Sequence, residues 1–312
     1  MLNLAKGNFM KVLQTVKTTI VSSFFTLSLW LFVAPAYADS LKSAQANFKQ
    51  QISELESTFG GRLGVAVWDA SSGFQLQYRG NERFALCSTF KFLLAASVLA
   101  KVDAKEESLS RVVTYSTSDL LNYAPITRKN LHNGEGEMTV SQLLAAALQH
   151  SDNTAANLLF EPVRGPQGLT TFMRSIGDRE TRVDRIEPHL NTNIPGDERD
   201  TTTPNAMLKS MKKILLGHVL SEASKNQLTQ WMLNNTTGAN KLRAGIPTYW
   251  PIGDKTGSGN NGAMNDIAIM WPDADDPILV AVYYTGSKEP FETRNHVLEQ
   301  VGRIISDQFS PH

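Results

Sequence analysis

NDIAIMWPDADDPILVAVYYTG, residues 265–286, holds two short apolar runs parted by proline and aspartate. Each run has strand length, is rich in β-branched and aromatic residues and is bounded by turn formers, which predicts two β-strands. Just upstream, YWPIGDKTG (249–257) gives a third strand signal, and downstream ETRNHVLEQVGRIISDQF (292–309) has helical spacing. Near the other end, FKQQISELESTF (48–59) spaces Ile52, Leu55 and Phe59 as a helix does. There GRLGVAVWDASSGFQLQYRG (61–80) alternates in two runs around Ser71-Ser72-Gly73, a hairpin signal. From Ser88 to about Asn234 the pattern turns helical: STFKFLLAASVLA, TVSQLLAAALQHSDNTAANLLF, GLTTFMRSIG, TPNAMLKSMKKILLG and EASKNQLTQWMLNN are separated by polar or Gly/Pro stretches. The expectation is an α/β (α+β) fold. One lobe is split between residues 39–80 and 235–312, a helical lobe over 81–234 is inserted, and a ligand groove lies between them.

Composition narrows the partners. The chain has 312 residues, 41% hydrophobic and 19% charged, enough for a sizeable core. Residues 1–38 carry Lys6, Lys11 and Lys17, no acid, and an apolar run ending in Ala36-Tyr37-Ala38, the small-x-small pattern of signal-peptidase cleavage. A membrane anchor is the alternative for a run of this length, but Pro35 and the cleavage pattern favour removal. Residues 1–38 are therefore read as a cleaved signal peptide, and the mature protein as periplasmic or secreted, with no membrane association. The 30 basic and 30 acidic residues balance, and loss of the three leader lysines leaves a slight acidic excess. Nothing there grips nucleic acid. The single cysteine, Cys87, cannot form an internal disulfide.

Four features invite a chemical reading, and each has a plain structural one. Ser88-Thr89-Phe90-Lys91 places a serine and a lysine one helical turn apart, in a helix so apolar that Lys91 would be buried. Burial disfavours the ammonium and makes the lysine a plausible base. Ser210-Met211-Lys212-Lys213 repeats the spacing, but on a helix with a polar side, where a solvated face explains it. Ser151-Asp152-Asn153 could simply cap a helix. Lys255-Thr256-Gly257-Ser258-Gly259 could be a loop with a surface lysine, and it lacks the spacing of a phosphate cradle. Residues 185–200, RIEPHLNTNIPGDERD, are too irregular for a helix or strand, and loops of that length are usually functional or disordered.

Together and in this order, Ser88-Thr89-Phe90-Lys91, Ser151-Asp152-Asn153, Glu187-Pro188-His189-Leu190-Asn191 and Lys255-Thr256-Gly257 resemble the signature set of the class A serine β-lactamases. The resemblance spans essentially the whole mature chain. It implies the two-lobed fold shared with penicillin-binding proteins, with an antiparallel sheet from both chain ends and an all-helical inserted lobe. It implies hydrolysis of the β-lactam amide of penicillins and some cephalosporins through an acyl-enzyme on Ser88, without metal or other cofactor, by a monomer. The base is Lys91 or Glu187 acting through a water. Backbone N–H groups of Ser88 and Ser258 would form the oxyanion hole. Ser151 would protonate the leaving nitrogen, and Lys255, Thr256, Gly257 and Ser258 would meet the substrate carboxylate. Asn153 would position the substrate side-chain amide, Glu187 and Asn191 would hold the hydrolytic water, and Tyr123 would wall the cleft. Arg185 and Asp200 would pin the Glu187 loop, and the Glu187-Pro188 bond is cis in relatives.

Two departures stand out against that family. Arginine positions that many relatives use for the carboxylate hold Met264 and Asn295, leaving Lys241, Arg243 or Arg294 as substitutes. Gly259 stands where some carbapenem-hydrolysing relatives carry a cysteine bonded to the one before the nucleophile. Cys87 then packs as a small apolar residue. The nearest rival is a penicillin-binding D-Ala-D-Ala carboxypeptidase or transpeptidase, against which Glu187 and Asn191 argue. A binding module that has lost catalysis is a rival of another class, and the intact Ser88, Lys91, Ser151 and Glu187 speak against it. A metal-dependent lactamase is disfavoured because none of the six histidines has a ligand-spaced neighbour.

Overall fold

Successive residues of a strand face opposite sides of a sheet, and from Ile278 to Thr285 all eight are buried. That sheet is therefore covered on both faces. The computed structural model describes residues 41–309 apart from 274, and the sheet, its helices and the groove all belong to one compact unit, Phe48–His312. The signal peptide read over residues 1–38 lies outside the described residues. Among those residues no helix is long and apolar enough to cross a membrane.

In chain order, helix α1 (residues 48–59 in this unit) leads into β1 (Arg62–Asp69), β2 (Gln75–Tyr78) and β3 (Phe84–Ala85). A 3-10 turn at Cys87–Thr89 opens α2 (Phe90–Asp103), followed by β4 (Val112–Ser116), α3 (Pro125–Lys129) and β5 (Glu135–Thr139). Then come α4 (Val140–Gln149), α5 (Asn153–Leu158), α6 (Phe160–Val163) and α7 (Gly165–Ser175). The remainder is β6 (Thr201–Thr202), α8 (Pro204–Met211), α9 (Glu222–Leu233), β7 (Ile252–Ser258), β8 (Met264–Met270), β9 (Ile278–Thr285) and α10 (Phe291–Phe309).

Five strands form one antiparallel sheet in the order β2-β1-β9-β8-β7, so its strands come from both ends of the chain. Val65, Val67, Ala268, Val280 and Val282 face Phe48 and Ile52 of α1 and Val297 and Val301 of α10. The alternate residues Ala66, Ile267, Leu279, Ala281 and Tyr283 join a second core with the helices of the inserted lobe. Each such Val, Leu or Ile contributes about 1.5–3 kcal/mol, and burial of both faces explains why β9 and the Ile267–Met270 part of β8 read as apolar runs without polar alternation. Helix α2 runs through the inserted lobe with every residue from Phe90 to Leu99 buried.

The inserted lobe is not helical throughout. Strands β4 and β5 form a two-stranded ladder, as do β3 and β6. The first is half exposed and the second has two residues per strand, so neither leaves a strong period in the sequence. TPNAMLKSMKKILLG divides into α8 and a π-helical turn at Lys212–Leu216. In the repeat of the serine–lysine spacing, Lys212 and Lys213 are exposed, but Ser210 is buried and donates to Asp178 at 2.8 Å. The expectation of a solvated face holds for the lysines and fails for the serine.

Residues 184–200 form a loop closed at its base by Asp200. The Asp200 carboxylate accepts from Asp184 N (2.7 Å), Arg185 N (2.9 Å) and Arg185 Nε (2.6 Å), and its own carbonyl accepts from Leu86 N (2.8 Å). Asp200 is 1% exposed and adopts φ 57°. Within the loop the Glu187-Pro188 peptide is cis and His189–Asn191 make a 3-10 turn. Asp200→Ala removes three hydrogen bonds to a buried carboxylate and places a β-carbon at positive φ without a compensating polar group. A loss of about 2–3 kcal/mol in urea unfolding is expected, with Asp200→Asn milder; an unchanged urea midpoint for the alanine variant would show that the loop base is not held there.

Candidate active site

The backbone must turn sharply between β3 and α2, and it does so at Cys87, whose φ is 44°. That conformation costs an L-residue about 1–2 kcal/mol, and it presents Ser88 in the middle of the 3-10 turn that runs into α2. Three residues on, Lys91 lies on the same face of the helix. Its Nζ donates to Ser88 Oγ (3.0 Å), Ser151 O (2.8 Å), Ser151 Oγ (3.3 Å) and Asn153 Oδ1 (2.5 Å), and pairs with Glu187 Oε1 at 3.1 Å. Both Lys91 and Glu187 are 1% exposed. Ser88 Oγ also stands 3.4 Å from Glu187 Oε1. Asn191 Nδ2 donates to Glu187 Oε2.

Ser151 stands between two helices, as the capping reading of Ser151-Asp152-Asn153 expects. With φ 56° it separates α4 from α5, and this break turns its hydroxyl toward the groove. Ser151 Oγ receives Lys255 Nζ at 3.1 Å as well as Lys91 Nζ, so one hydroxyl joins the two lysines. Asp152 behaves as the capping reading expects. It accepts from Ala155 N (2.9 Å) and binds Ile126 N, Thr127 N and Thr127 Oγ1, so the middle residue of the tripeptide is structural while its neighbours face the groove.

Lys255, Thr256, Gly257 and Ser258 lie on β7, the edge strand, not on a surface loop. A β-carbon at Gly257 would stand 3.1 Å from Ser88 N and 3.2 Å from Leu86 O, so the absence of a side chain lets the strand lie against the Cys87–Thr89 turn. Thr256 Oγ1 meets Thr237 Oγ1 at 2.5 Å. Tyr123, 53% exposed, lines the opposite wall, and its carbonyl accepts from Asn153 N at 3.0 Å. The structure thus brings Ser88, Tyr123, Ser151, Asn153, Asn191, Thr256, Gly257 and Ser258 to the lining of one groove, with Lys91, Glu187 and Lys255 bonded to them from behind. The groove holds about 350 Å³. A cleft of about 650 Å³ beside α8 is larger. What marks the smaller one is the convergence of hydroxyls, ammonium groups and a carboxylate.

No motif points to Asn157, yet its side chain holds Glu187 from both sides, Oδ1 accepting from Glu187 N (3.0 Å) and Nδ2 donating to Glu187 O (2.9 Å). Its position in TAANLLF, one turn after Asn153, is the signal that was available. Thr237 was equally unmarked.

Burial dominates the electrostatics. It pulls the Lys91 ammonium below the usual lysine range, opposed chiefly by the Glu187 charge. Burial, followed by repulsion from Lys91, lowers Lys255 to about 7. The same burial, with the Glu187 and Asp200 charges, pushes the Cys87 thiol up to about 12. A lysine with a weakened hold on its proton, 3.0 Å from a serine hydroxyl, can accept that proton. A thiol so raised is a poor nucleophile.

The β-lactamase enzyme family model matches residues 47–309. The chain belongs to the β-lactamase enzyme family. It is 45% identical to β-lactamase CTX-M-8 of Citrobacter amalonaticus over 94% of this chain and 98% of that protein. It is 43% identical to β-lactamase Toho-1 of Escherichia coli over 95% and 99%. Among solved structures, an ancestral class A β-lactamase superposes with a TM-score of 0.82 at 52% identity, covering 84% of this chain and all of the other. The fold is that of the class A enzymes.

Against that family the departures take physical form. Met264 is fully buried in the sheet core, and Asn295 is buried on α10 with Nδ2 toward Glu292 Oε2. Of the three substitutes, Arg243 is engaged by Asp254 and Arg294 donates to Glu289 O outside the groove. Lys241 lines the groove beside Thr237 and Thr256. A β-carbon at Gly259 would lie 2.7 Å from Cys87 Sγ and 2.8 Å from Asn191 O, so β7 and the Glu187 loop meet there without a side chain. The single cysteine is buried and free. Iodoacetamide at pH 8 should leave Cys87 of the folded protein unmodified and label one thiol after unfolding in guanidinium, and a reductant should not move the thermal midpoint. Rapid labelling of the folded protein would contradict a buried, protonated thiol.

Proposed function

We propose that the protein hydrolyses penicillins and some cephalosporins through an ester on Ser88, and so confers resistance to them. The observation that carries this reading is that Ser88 Oγ faces two proton acceptors, Lys91 Nζ at 3.0 Å and Glu187 Oε1 at 3.4 Å, with Asn191 on the other oxygen of Glu187. Ser88 attacks the lactam carbonyl as its proton passes to Lys91, or to Glu187 through a water. Backbone N–H groups of Ser88 and Ser258 receive the charge that develops on the carbonyl oxygen. Ser151, poised between the two lysines, gives a proton to the departing nitrogen. Lys255, Thr256, Ser258 and Lys241 receive the substrate carboxylate. Asn153 and Tyr123 hold the substrate side chain.

The ester then meets a water held by Glu187 and Asn191. A penicillin-binding carboxypeptidase shares the serine and both lysines, but its ester with penicillin persists. The Glu187–Asn191 pair beside Ser88 favours turnover instead. The apolar leader over residues 1–38 supports export to the periplasm or beyond the cell.

The test separates the two half-reactions. Removing a general base typically costs ~10²–10⁴-fold. Glu187→Ala should retain acylation through Lys91 while losing hydrolysis by that order, so that mixing with benzylpenicillin gives an adduct of the intact antibiotic that lasts minutes. Ser88→Ala should give none. Turnover of Glu187→Ala at the parent rate, or an adduct on another residue, would refute these roles.

A further inference from the structure

Two buried aspartates lie behind the groove, and the chemistry at Ser88 uses neither. Asp254 on β7 accepts from Asn235 Nδ2 at 2.8 Å and is paired with Arg243. Asp266 on β8 stands directly across the ladder from Thr256, so both point to the side of the sheet covered by the 237–245 turn. Asp266 is 0% exposed. Its Oδ2 accepts a long hydrogen bond from Leu242 N (3.4 Å), and its Oδ1 has no partner among the described residues. Among those residues no side-chain donor claims it.

Lys241 precedes Leu242. It is 5% exposed, and its ammonium makes one long hydrogen bond, to Thr237 O at 3.3 Å, with the Phe291 ring 5.4 Å away. An ammonium this buried and this poorly bonded needs an opposite charge nearby. The charged groups around it are Asp266 on β8, Asp254 and Lys255 on β7, Glu292 on α10 and Arg243 in its own turn. Asp254 is committed to Arg243. Burial pulls Lys241 down, and Asp266 is the strongest charge opposing it, ahead of Asp254 and Glu292. Burial and the Asp254 charge push Asp266 well up, so it ionises late and its support for the lysine grows as pH rises.

We propose that Asp266 is a positioning residue that serves as the internal counter-ion of Lys241 and holds that lysine charged for the substrate carboxylate. The arrangement has a reason. A direct salt bridge would occupy the ammonium donors, whereas a carboxylate set behind the lysine sustains its charge and leaves the donors free. It also matters that the cation is lysine. An arginine stays charged at any working pH, but a buried lysine does not, so this groove needs a device that an arginine would not.

This inference rests on the reading of the groove as a penicillin site. KM and kcat for benzylpenicillin would be measured from pH 6 to 9.5 for the parent, Asp266→Asn, Lys241→Arg and the double variant. At pH 6 the parent and Asp266→Asn should agree within about threefold. Above pH 7 the KM of Asp266→Asn should climb earlier, by about one pH unit, or roughly tenfold at a given alkaline pH. In the Lys241→Arg background most of that shift should vanish, because the guanidinium does not titrate. Lys255 also feels Asp266, but equally in both backgrounds, so the difference between them reads Lys241. An equal shift in both backgrounds, or none in either, would overturn the proposal.

A second readout does not depend on catalysis. The Nζ resonance of Lys241 in ¹⁵N-lysine-labelled protein, assigned through Lys241→Arg, should titrate at a higher pH in the parent than in Asp266→Asn. A parent Lys241 already neutral at pH 7 would refute the proposal even if Asp266→Asn failed to fold. A parent that leaves benzylpenicillin intact would refute the reading of the groove, while the titration would still decide the role of Asp266.

Discussion

An ammonium group buried in an apolar helix is the constraint on which the site is built. Nine of the ten residues from Phe90 to Leu99 pack as an ordinary helix interior, and the tenth is Lys91. Withdrawing such a charge from water costs several kcal/mol even after relaxation, and the turn that leads into α2 supplies only Ser88. The remaining partners come from the break between α4 and α5, which brings Ser151 and Asn153, and from the 184–200 loop, which brings Glu187. Three separate parts of the chain are thus drawn to one nitrogen. Helix α2, deep in the inserted lobe, makes that meeting rigid.

The convergence has costs, and they are local. Cys87, Ser151 and Asp200 all adopt positive φ, each next to a group the site requires. Cys87 turns the chain so that Ser88 sits in the turn that leads into α2, Ser151 stands between two helices with its hydroxyl aimed at the groove, and Asp200 closes the loop that carries Glu187. At about 1–2 kcal/mol each, these conformations persist only because the two large cores hold the surrounding backbone. Such strain at a site follows from placing reactive groups first and relaxing the backbone second.

A second buried ammonium, Lys255, stands on the neighbouring lobe, and Ser151 Oγ is within reach of both. Two like charges in one low-dielectric groove weaken each other, which is why Lys255 falls to about 7 with Lys91 as the second cause after burial. Close approach of the lobes depends on the bare backbone of Gly257 and Gly259, against Ser88 and against Cys87 and Asn191 respectively. The hydroxyl that both lysines reach is the one best placed to hand a proton across the groove.

By itself the sequence determined the long elements, because burial period and turn residues are local: the strands of the main sheet at both ends, the helices between, and a hairpin at Ser71-Ser72-Gly73, but not the short ladders β3–β6 and β4–β5 inside the helical stretch. It also marked the candidate reactive residues, because Ser88, Lys91, Ser151, Glu187 and Lys255 carry chemistry that few other side chains can, in an order and spacing that resemble one family. What it left open was decided by contacts between residues far apart in the chain. Asp152 caps while its neighbours face the groove, a distinction set by which peptide groups of residues 126–127 pack against it. Asn157 reads as one more polar helix residue until Glu187 folds onto it from 30 positions away. Lys241, Arg243 and Arg294 are interchangeable on paper, and only the third dimension commits Arg243 to Asp254 and leaves Lys241 facing the groove. Composition and period act through neighbours along the chain. The charge on a buried side chain is set by whatever tertiary structure places around it.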